Sequence, residues 1–540
     1  MQGTMMDFPL TLRHVFERSR RLFGRSEIVT RLPDKSLHRY TAADFTARAA
    51  RLAAALQKAG LKPGERVGTM MWNNYPHLEC YFGVPLAGGV FHTLNFRLHP
   101  SDIEYIANHA EDRFIIVDDV LLPVIEAVRP KLKAERYIVS TLTGQPAPAG
   151  YERYEDFIAD APAEPAPAAL GENDAAGMCY TSGTTGKPKG VVYSHRSIVL
   201  HTLIVGQADA TAISNRDTML PVVPMFHVNS WGLPFCGVMN GARILLPGPH
   251  LDAVSLLDLM EGEKATFAAG VPTIWFGLLH ALEKEPKRWK LQPGLRTFVG
   301  GSAAPEALIR GLDRHGVNVV HAWGMTEMSP IGSICRIKTE LCDQAEDALY
   351  ELRAKQGMPV ALVDMRVVNE SGPVPWDGKT MGELQVRGPC VAARYYNDDT
   401  QADKWAKDGW FVTGDVATID AEGYMKLTDR TKDLIKSGGE WISSVDLENA
   451  LMGHPSVKEA TVIAVPHPKW DERPLAVIVL KEGAPEDPAA LAEYLKPKFA
   501  RWWLPDGYAF VAEIPKTSAG KFLKSKLRDQ FAGWQWGEPE

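Results

Sequence analysis

The stretch 180-YTSGTTGKPKG-190 has the side chains and the spacing to hold an anion. Within eleven residues it combines three glycines, four aliphatic hydroxyl groups and two lysines. Glycines let backbone N–H groups approach an anion closely, and successive N–H groups can form a concave binding nest. The hydroxyl groups add donors, and Lys187 and Lys189 add positive charge. We predict a loop that binds triphosphate or pyrophosphate, with a mobile surface turn as the alternative.

Two familiar nucleotide-binding patterns do not describe this loop. The Walker A pattern GxxxxGK[ST] fails because, counted from Gly183, its second glycine falls on Pro188. The chain also has no GxGxxG dinucleotide fingerprint and no GxSxG nucleophile elbow. The loop therefore requires another interpretation.

The elements around the loop read as an α/β protein. The run 175-AAGMCY-180 is typical of a strand that leads into the loop, and 114-FIIVDD-119 and 243-RILLPG-248 are typical of buried strands. Helical patterns such as 251-LDAVSLLDLMEGE-263 alternate with them. This alternation predicts largely parallel sheets with flanking helices.

One helix has clear ends as well as a clear apolar face. Residues 41–60 carry apolar side chains at steps of three and four. Thr41 and Asp44 suit the start of a helix, and Gly60 suits its end. We predict an amphipathic helix between these signals.

Length and composition restrict the class of protein. A chain of 540 residues should divide into two or more domains. A net charge of −7 gives no sign of a nucleic-acid partner. The six cysteines form no CxxC motif, the amino terminus does not read as a signal peptide and no apolar run is long enough to span a bilayer. We predict a cytoplasmic protein and leave peripheral membrane contact open.

The domain boundary is predicted near Arg430–Lys432. The character of the chain changes around 428-TDRTKDLIKSGGEW-441, and about 100 further residues suffice for a small domain. We predict a large domain at 1–430 with mostly parallel sheets and flanking helices. We predict a small, mobile α+β domain at 431–540.

The loop and six further motifs resemble the adenylate-forming superfamily, which includes acyl-CoA synthetases, luciferases and peptide-synthetase adenylation domains. Every position of YTSGTTGKPKG fits that signature. The resemblance is greatest to medium- and long-chain fatty acyl-CoA synthetases. The further motifs, in the expected order, are 221-PVVPMFHVNSWG-232, 299-VGGSAAP-305, 321-HAWGMTE-327, 413-TGD-415, 429-DRTKDLIKSGGEWIS-443 and 515-PKTSAGKFLK-524.

The resemblance implies a nucleotide site in which the loop grips the β- and γ-phosphates of ATP. It implies that Thr326 contacts the α-phosphate, and that Asp415 and Arg430 contact the ribose. Thr181 and Glu327 would hold Mg²⁺, an ion that prefers oxygen ligands. The implied ATP- and AMP-binding residues are Thr181, Ser182, Gly183, Thr184, Thr185, Gly186, Lys189, Gly301, Ser302, Ala303, His321, Ala322, Trp323, Gly324, Thr326, Asp415, Arg430, Lys432, Lys436 and Trp441.

The resemblance also implies an acyl site and a catalytic lysine. His227 would lie at the carboxylate end of the acyl site, and Trp231 would gate a tunnel toward the acyl chain. Lys521 would bring one ammonium group to the reacting carboxylate and α-phosphate, so the catalytic residues are Lys521, His227 and Glu327. The implied acyl-binding residues are His227, Val228, Trp231, Gly301 and Pro330.

The small domain would rotate about Lys432 between two half-reactions and then present a different face to CoA. Gly438, Gly439 and Glu440 are the implied CoA-binding residues. Lys524 and Lys526, close to Lys521, are predicted to be solvated surface lysines.

The predicted function is an ATP- and Mg²⁺-dependent fatty acid–CoA ligase acting through an acyl-AMP. The partners are a small carboxylic acid, ATP and CoA. A short, aryl or methylthio-alkanoic acid is the alternative substrate, and loading of a carrier protein is an alternative of another class. Residues 1–9 resemble the start of relatives that form dimers, which leaves a homodimer open.

Overall fold

The computed structural model describes residues 1–181, 187–437, 440–517 and 521–536. Helices and strands alternate along most of the chain. The strands are β1 (Glu27–Arg31), β2 (Leu37–Thr41), β3 (Arg66–Met70), β4 (Val90–Thr93), β5 (Asp112–Asp118), β6 (Arg136–Ser140), β7 (Glu152–Arg153), β8 (Ala175–Tyr180), β9 (Gly190–Ser194), β10 (Thr218–Pro221), β11 (Arg243–Leu246), β12 (Phe267–Gly270), β13 (Leu295–Val299), β14 (Val317–Gly324), β15 (Ile331–Ile334), β16 (Met358–Pro359), β17 (Asp364–Asn369), β18 (Gly372–Pro373), β19 (Gly382–Arg387), β20 (Phe411–Ile419), β21 (Met425–Arg430), β22 (Ile435–Ser437), β23 (Glu440–Ile442), β24 (Val457–His467), β25 (Asp471–Leu480) and β26 (Gly507–Phe510).

The α-helices cover the faces of these sheets. None of the described helices is long and apolar enough to span a bilayer. They are α1 (Leu12–Leu22), α2 (Ala42–Lys58), α3 (Tyr75–Leu86), α4 (Pro100–His109), α5 (Leu122–Glu126), α6 (Tyr154–Ala159), α7 (His195–Val205), α8 (Leu233–Asn240), α9 (Ala253–Gly262), α10 (Pro272–Lys284), α11 (Glu306–Asp313), α12 (Glu346–Arg353), α13 (Ser444–Met452), α14 (Pro488–Leu495) and α15 (Lys524–Gln530).

Two large sheets form the body of the protein. One has the order β16-β15-β14-β13-β12-β10-β11-β1-β2, and the other has the order β7-β6-β5-β3-β4-β8-β9. Their inner pairs are parallel, whereas the edge pairs β1–β2, β14–β15, β15–β16 and β8–β9 are antiparallel. The predicted α/β class with mostly parallel sheets is therefore confirmed.

The main hydrophobic core lies between these two sheets. Its largest cluster joins helices α1, α2 and α3 to residues of both sheets, such as Phe91 of β4 and Met219 of β10. Helices α9, α10 and α11 cover the other face of the nine-stranded sheet with a second cluster. Parallel strands all point the same way, so the loops that follow their carboxyl ends meet at one edge of the sheet. Binding sites of α/β proteins lie at this edge.

The predicted local elements are confirmed. Helix α2 begins after Thr41, whose hydroxyl oxygen accepts from the Asp44 N–H at 3.2 Å, while Asp44 Oδ2 accepts from the Thr41 N–H at 2.9 Å. This reciprocal capping box satisfies two N–H groups that a helix start otherwise leaves unpaired. The predicted strands at 114–119, 175–180 and 243–248 correspond to β5, β8 and β11.

The carboxyl-terminal part has its own sheet. Strands β23-β22-β25-β24 are antiparallel, and β26 adds to β25 in parallel. Helices α13 and α14 pack on this sheet through their own hydrophobic cluster. A five-stranded sheet, β18-β17-β19-β20-β21, precedes it and ends at Arg430. The small α+β unit expected from the sequence is therefore present.

The cysteines are unpaired. All six lie in the described ranges, and none of them is in a disulfide. Five are buried, and Cys342 is exposed. Their packing in the core is that of small apolar side chains.

Candidate active site

A cavity of about 610 Å³ lies between the large sheets and the carboxyl-terminal unit. Its walls include the residues that follow β8, β13 and β14, together with the facing ends of β20 and β21 and the segment around Lys521. The predicted site residues that line it are Thr181, Lys189, His227, Val228, Trp231, Gly301, Ser302, Ala303, His321, Ala322, Trp323, Gly324, Thr326, Glu327, Pro330, Asp415, Arg430, Lys432 and Lys521.

Thr181 and Lys189, at the two ends of the predicted phosphate-binding loop, are hydrogen-bonded to each other at the cavity. The Thr181 N–H donates to the Lys189 carbonyl at 2.9 Å, and the Lys189 N–H donates to Thr181 Oγ1 at 3.1 Å. Ser182, Gly183, Thr184, Thr185 and Gly186, which are predicted to contact phosphates, lie outside the described residues. These two hydrogen bonds hold Thr181 and Lys189 next to each other in the cavity wall.

Aromatic side chains hold both lysines of the loop. Lys187 Nζ lies 5.1 Å from the centroid of the Tyr105 ring, and Lys189 Nζ lies 5.2 Å from that of Tyr395. Lys189 also donates to the amide oxygen of Gln401. Ring faces attract ammonium groups electrostatically, and both lysines line the cavity. The positive charge predicted for this loop therefore faces the cavity.

Glu327 is a buried carboxylate in the cavity wall. The Tyr395 hydroxyl donates to its Oε1 at 2.6 Å. Burial raises the pKa of Glu327, and this hydrogen bond opposes the rise. The backbone is fixed as well, because the Tyr193 hydroxyl donates to the Thr326 carbonyl at 2.7 Å. Thr326 and Glu327 are thus placed by tyrosines from distant segments.

His321 supports the turn that forms one wall of the cavity. Its Nε2 accepts from the Ala304 N–H at 3.2 Å, so its Nδ1 donates to the Ala354 carbonyl at 3.0 Å. Burial lowers the pKa of His321 to about 4, which keeps the ring neutral at pH 7. The ring lines the cavity while its polar atoms hold the 300–304 turn.

The glycines of that turn are required by close contacts. A Cβ atom on Gly300 would lie 2.9 Å from the Ala322 carbonyl oxygen and 3.3 Å from the Trp231 ring. Gly301 has a φ of +85°, which favours glycine. The Trp231 ring and strand β14, through its Ala322 carbonyl, can therefore both approach this turn.

Asp415 and Arg430 face each other across the pair β20–β21. They are register partners, and Arg430 Nε lies 3.8 Å from Asp415 Oδ1. The Trp323 indole N–H donates to Asp415 Oδ2 at 2.9 Å. The carboxylate is thus oriented by one neutral donor and lies near one cation.

Trp231 is carried by a left-handed turn. Val228, Asn229, Ser230 and Trp231 have φ values between +39° and +57°, and Gly232 follows at +73°. Such a run costs roughly 1–2 kcal/mol for each non-glycine residue, so surrounding contacts must stabilise it. Ser230 Oγ donates to the Val223 carbonyl at 2.7 Å, and the Cys179 thiol donates to Asn229 Oδ1 at 3.1 Å.

His227 lies at the start of this turn and faces Lys521. Burial, together with the charges of Lys521 and Arg97, lowers the pKa of His227 to about 3. The imidazole is therefore neutral at pH 7. A neutral ring can donate or accept a hydrogen bond beside a carboxylate without adding a charge.

Lys521 reaches into the cavity from the carboxyl-terminal unit. A Cβ atom placed on Gly301 would lie 3.7 Å from Lys521 Cε. Its backbone is tied to Thr517, because the Lys521 N–H donates to Thr517 Oγ1 at 3.1 Å and the Thr517 N–H donates to the Lys521 carbonyl at 2.7 Å. Burial, reinforced by the charge of Arg430, lowers the pKa of Lys521 to about 8, although Asp415 and Glu327 oppose that shift.

Two predicted nucleotide contacts lie away from this cavity. Lys436 and Trp441 are exposed and are register partners in the hairpin β22–β23. Neither lines the cavity in this arrangement of the chain. Of the predicted CoA-binding residues, Gly438 and Gly439 lie outside the described residues, as does the side chain of Glu440.

The prediction that Lys524 is a solvated surface lysine is wrong. Its side chain is 11% exposed, and its Nζ lies 2.7 Å from Glu448 Oε1. Burial alone would lower its pKa, but Glu448, Asp429 and Asp433 outweigh burial and raise the pKa of Lys524. Lys526 is exposed, as predicted.

Sequence reasoning missed several residues of the cavity. Tyr395 lines it and orients Glu327, and Glu383, Phe276 and Gln356 also contribute to its wall. They stand outside every motif, and their partners are distant in the chain. In the described ranges no group of three or more His, Cys, Asp or Glu residues could hold a metal by itself.

This geometry agrees with the comparison with known proteins. The family model described as AMP-binding enzyme matches residues 16–396, and that of the AMP-binding enzyme C-terminal domain matches residues 446–521. Together they span most of the chain, and the residues between them, 397–445, include Asp415 and Arg430 of the cavity. This chain belongs to the AMP-binding enzyme family.

Its relatives include CoA ligases with different acids in their names. A long-chain-fatty-acid–CoA ligase of Thermus thermophilus is 50% identical, over 99% of this chain and 98% of that protein. A 3-methylmercaptopropionyl-CoA ligase of Ruegeria pomeroyi is 44% identical, over 98% and 99% respectively. The solved structure of the anthranilate CoA ligase AuaEII in complex with anthranoyl-AMP has a TM-score of 0.86 at 26% identity, covering 98% of this chain and 99% of that one.

Proposed function

We propose that this protein is an ATP-dependent, AMP-forming ligase that joins a medium- or long-chain fatty acid to CoA. The observation that carries the proposal is the position of Lys521. Its side chain enters the cavity that Asp415, Glu327 and the two ends of the predicted phosphate-binding loop, Thr181 and Lys189, also line. A partly buried ammonium group among these residues is suited to a reaction that builds negative charge on a phosphate.

The nucleotide would lie along the wall formed by the turn at Gly301 and the end of β14. Gly301, Ser302 and Ala303 would form one side of the adenine pocket, and His321 to Gly324 the other. Asp415 would accept from the ribose hydroxyl groups, with Arg430 as a second ribose contact. Thr181, Lys189 and residues 182–186 would hold the β- and γ-phosphates, with Thr326 at the α-phosphate.

The first half-reaction would join the acid to AMP. One carboxylate oxygen of the acid attacks the α-phosphorus, the bond to the β-phosphate oxygen breaks, and pyrophosphate leaves. The Lys521 ammonium would lie between the carboxylate and the α-phosphate, where it offsets the charge of both. His227, neutral at pH 7, would orient the carboxylate by a hydrogen bond without forming an ion pair.

The acyl chain would lie beyond the left-handed turn. Trp231 packs against the Gly300–Gly301 turn, and Val228 and Pro330 line the same part of the cavity. The Trp231 ring would have to move for a long chain to pass. We propose Val228, Trp231, Gly301 and Pro330 as acyl contacts on this basis.

The residues present fit Mg²⁺ that arrives with ATP. The Glu327 carboxylate and the Thr181 hydroxyl both line the cavity, and Mg²⁺ is commonly held by one or two carboxylates plus substrate phosphates. When bound, the ion would offset charge on the phosphate oxygens. Tyr395 keeps the Glu327 carboxylate oriented through the hydrogen bond to Oε1.

The second half-reaction would transfer the acyl group to CoA. The CoA thiol attacks the acyl carbonyl carbon, its proton is lost, and AMP leaves with the bonding electron pair. We propose that residues 431–540 rotate about Lys432 for this step, which would withdraw Lys521 and bring the hairpin β22–β23 to the cavity. Lys436 and Trp441 would then contact the nucleotide, and Gly438, Gly439 and Glu440 would contact CoA.

The relatives support two kinds of acid substrate. The long-chain-fatty-acid–CoA ligase of Thermus thermophilus, at 50% identity, supports a long-chain acid. The 3-methylmercaptopropionyl-CoA ligase, at 44% identity, supports a short methylthio-alkanoic acid as the alternative. A carrier protein in place of CoA would use the same adenylation site. The cavity residues named above serve all three possibilities.

One assay separates these possibilities. AMP and pyrophosphate release is measured with ATP and Mg²⁺, with and without CoA, across acids from C2 to C18 and including benzoate and 3-methylthiopropionate. CoA-dependent AMP release that peaks between C6 and C16 supports the proposal. A peak at short or aryl acids moves the enzyme to the alternative substrate, and pyrophosphate release without CoA-dependent turnover contradicts CoA as the acceptor.

A further inference from the structure

Lys524 stands three residues after Lys521, at the first position of α15, and points into the protein rather than into solvent. Its Nζ lies 2.7 Å from Glu448 Oε1 and donates to Ser444 Oγ at 2.5 Å. Both partners belong to α13, 76 to 80 residues earlier in the chain. The ammonium group thus joins the start of α15 to one face of α13.

Glu448 is itself firmly held. Besides the lysine, its Oε1 accepts from the Thr461 hydroxyl and from the Val462 N–H, both at 2.8 Å. The carboxylate is 9% exposed and lies against strand β24. Lys524 is therefore anchored, through Glu448, to the middle of strand β24.

Ser444 extends the network to the large domain. Its hydroxyl and its N–H both donate to Asp429 Oδ2, at 2.5 and 2.8 Å. Asp429 belongs to β21, before the proposed hinge at Lys432, whereas Ser444 follows that hinge. On the same helix as Lys524, Arg528 donates to Asp433 Oδ1 at 2.7 Å. The network therefore includes groups on both sides of the hinge.

We propose that Lys524 is a positioning residue for Lys521: anchored on Glu448 and Ser444, it holds the segment that follows Lys521 so that the Lys521 ammonium stays in the cavity during adenylate formation. This inference rests on the proposed function. Three residues span at most about 11 Å, so fixing Lys524 restricts where Lys521 can lie. The contacts of Lys521 with Thr517 fix the segment from the other side.

The network also indicates which contacts would survive rotation of the small domain. Rotation about Lys432 would carry Lys524, Glu448 and Ser444 together, whereas Asp429 would remain with β21. The contacts between Lys524 and α13 would then persist in both states. The contacts that join the start of α13 to β21 would be lost, namely Ser444 to Asp429, Ser443 to the Thr428 carbonyl and Asp446 to Lys426. Adenylate formation depends on this cluster, whereas thioester formation, for which Lys521 is withdrawn, does not.

The test measures the two half-reactions separately in Lys524→Met, Lys524→Arg and the control Lys526→Met. Adenylate formation is followed as pyrophosphate release without CoA, and thioester formation is followed from supplied acyl-AMP and CoA, using the acid that the wild type prefers. Misplacing a catalytic group by about 1 Å can cost on the order of 100-fold in rate. We expect Lys524→Met to lower the adenylation kcat about 10- to 100-fold, with KM for ATP and thioester formation within about twofold of the wild type.

The arginine variant should recover part of the adenylation rate because it keeps a cation at the anchor, and Lys526→Met should behave as wild type. If Lys524→Met does not fold, Ser444→Ala replaces it, because this variant keeps every charge. It should also lower the rate of adenylate formation and leave thioester formation unchanged. An unchanged adenylation rate, or an equal loss in both half-reactions, would overturn the inference. A wild type that forms no adenylate with any acid would instead contradict the proposed function.

Discussion

The indole of Trp323 donates its N–H to Asp415 Oδ2 over 2.9 Å and so joins the end of β14 to β20. The two residues come from different sheets, yet both line the cavity. The same carboxylate lies 3.8 Å from Arg430 Nε, so one neutral donor and one cation both orient it. A carboxylate fixed in this way can accept hydrogen bonds from two neighbouring hydroxyl groups, as binding of a ribose would require.

Removing the indole donor should weaken nucleotide binding. Trp323→Phe keeps most of the ring and leaves Asp415 with one fewer hydrogen bond. A hydrogen bond to a charged group contributes about 1.5–3 kcal/mol, so we expect KM for ATP to rise about tenfold or more. The matched control is Trp289→Phe, which removes a 2.7 Å bond from Trp289 to Asp258 away from the cavity. An equal rise in both variants would contradict a nucleotide role for Trp323.

Lys521→Ala tests the proposed catalytic charge. Deleting a preorganised charge should lower the rate of adenylate formation about 10²–10³-fold. Thioester formation from supplied acyl-AMP should remain near the wild-type rate, because Lys521 is withdrawn in that step. Pyrophosphate release and acyl-CoA formation are measured separately. Comparable losses in the two steps would assign Lys521 to general binding or folding.

The pKa of Lys521 predicts a pH limit for the free enzyme. Burial lowers that pKa to about 8, so the group is an ammonium below pH 8 and a neutral amine above it. Since the reaction uses the charged form, kcat/KM should fall as the pH rises through about 8. In Lys521→Arg the guanidinium stays charged, so the residual activity should lack this decline. A decline of the same shape in the arginine variant would rule out Lys521 as its source.

Trp231→Ala tests the acyl side of the cavity. The Trp231 ring fills space beside Gly300, so its removal should change the preference among acids of different chain length while KM for ATP stays within about twofold, because the ring makes no proposed nucleotide contact. The profile of acyl-CoA formation from C2 to C18 measures the effect. Trp376→Ala, at an exposed tryptophan, is the control. An unchanged profile would make Trp231 a packing residue only.

The elements with local signals were predictable from the sequence. Helix α2 has apolar side chains at helical spacing and a complete capping box at Thr41 and Asp44, so its pattern and its ends agree. Strands β5 and β11 are short apolar runs bounded by turn residues. The site residues inside motifs, such as Glu327 and Lys521, also lie in the cavity.

Features that depend on distant partners could not be predicted. Lys524 has the sequence context of a surface lysine, because the groups that bury it, Ser444 and Glu448, lie at least 76 residues away. Tyr395 orients Glu327 from 68 residues away. The left-handed turn from Val228 to Trp231 places a β-branched and a bulky aromatic residue at positive φ, which the sequence does not indicate. Tertiary contacts decide all three.

The burial of five of the six cysteines makes the native protein selective toward chemical labelling. A bulky maleimide should react with Cys342 alone, because the other thiols are in the core and inaccessible. A fluorophore could therefore be attached at one place in the large domain without altering any other residue. As the chain opens under denaturant, the number of labelled thiols would rise from one toward six, and that count would report how much of the core has been exposed.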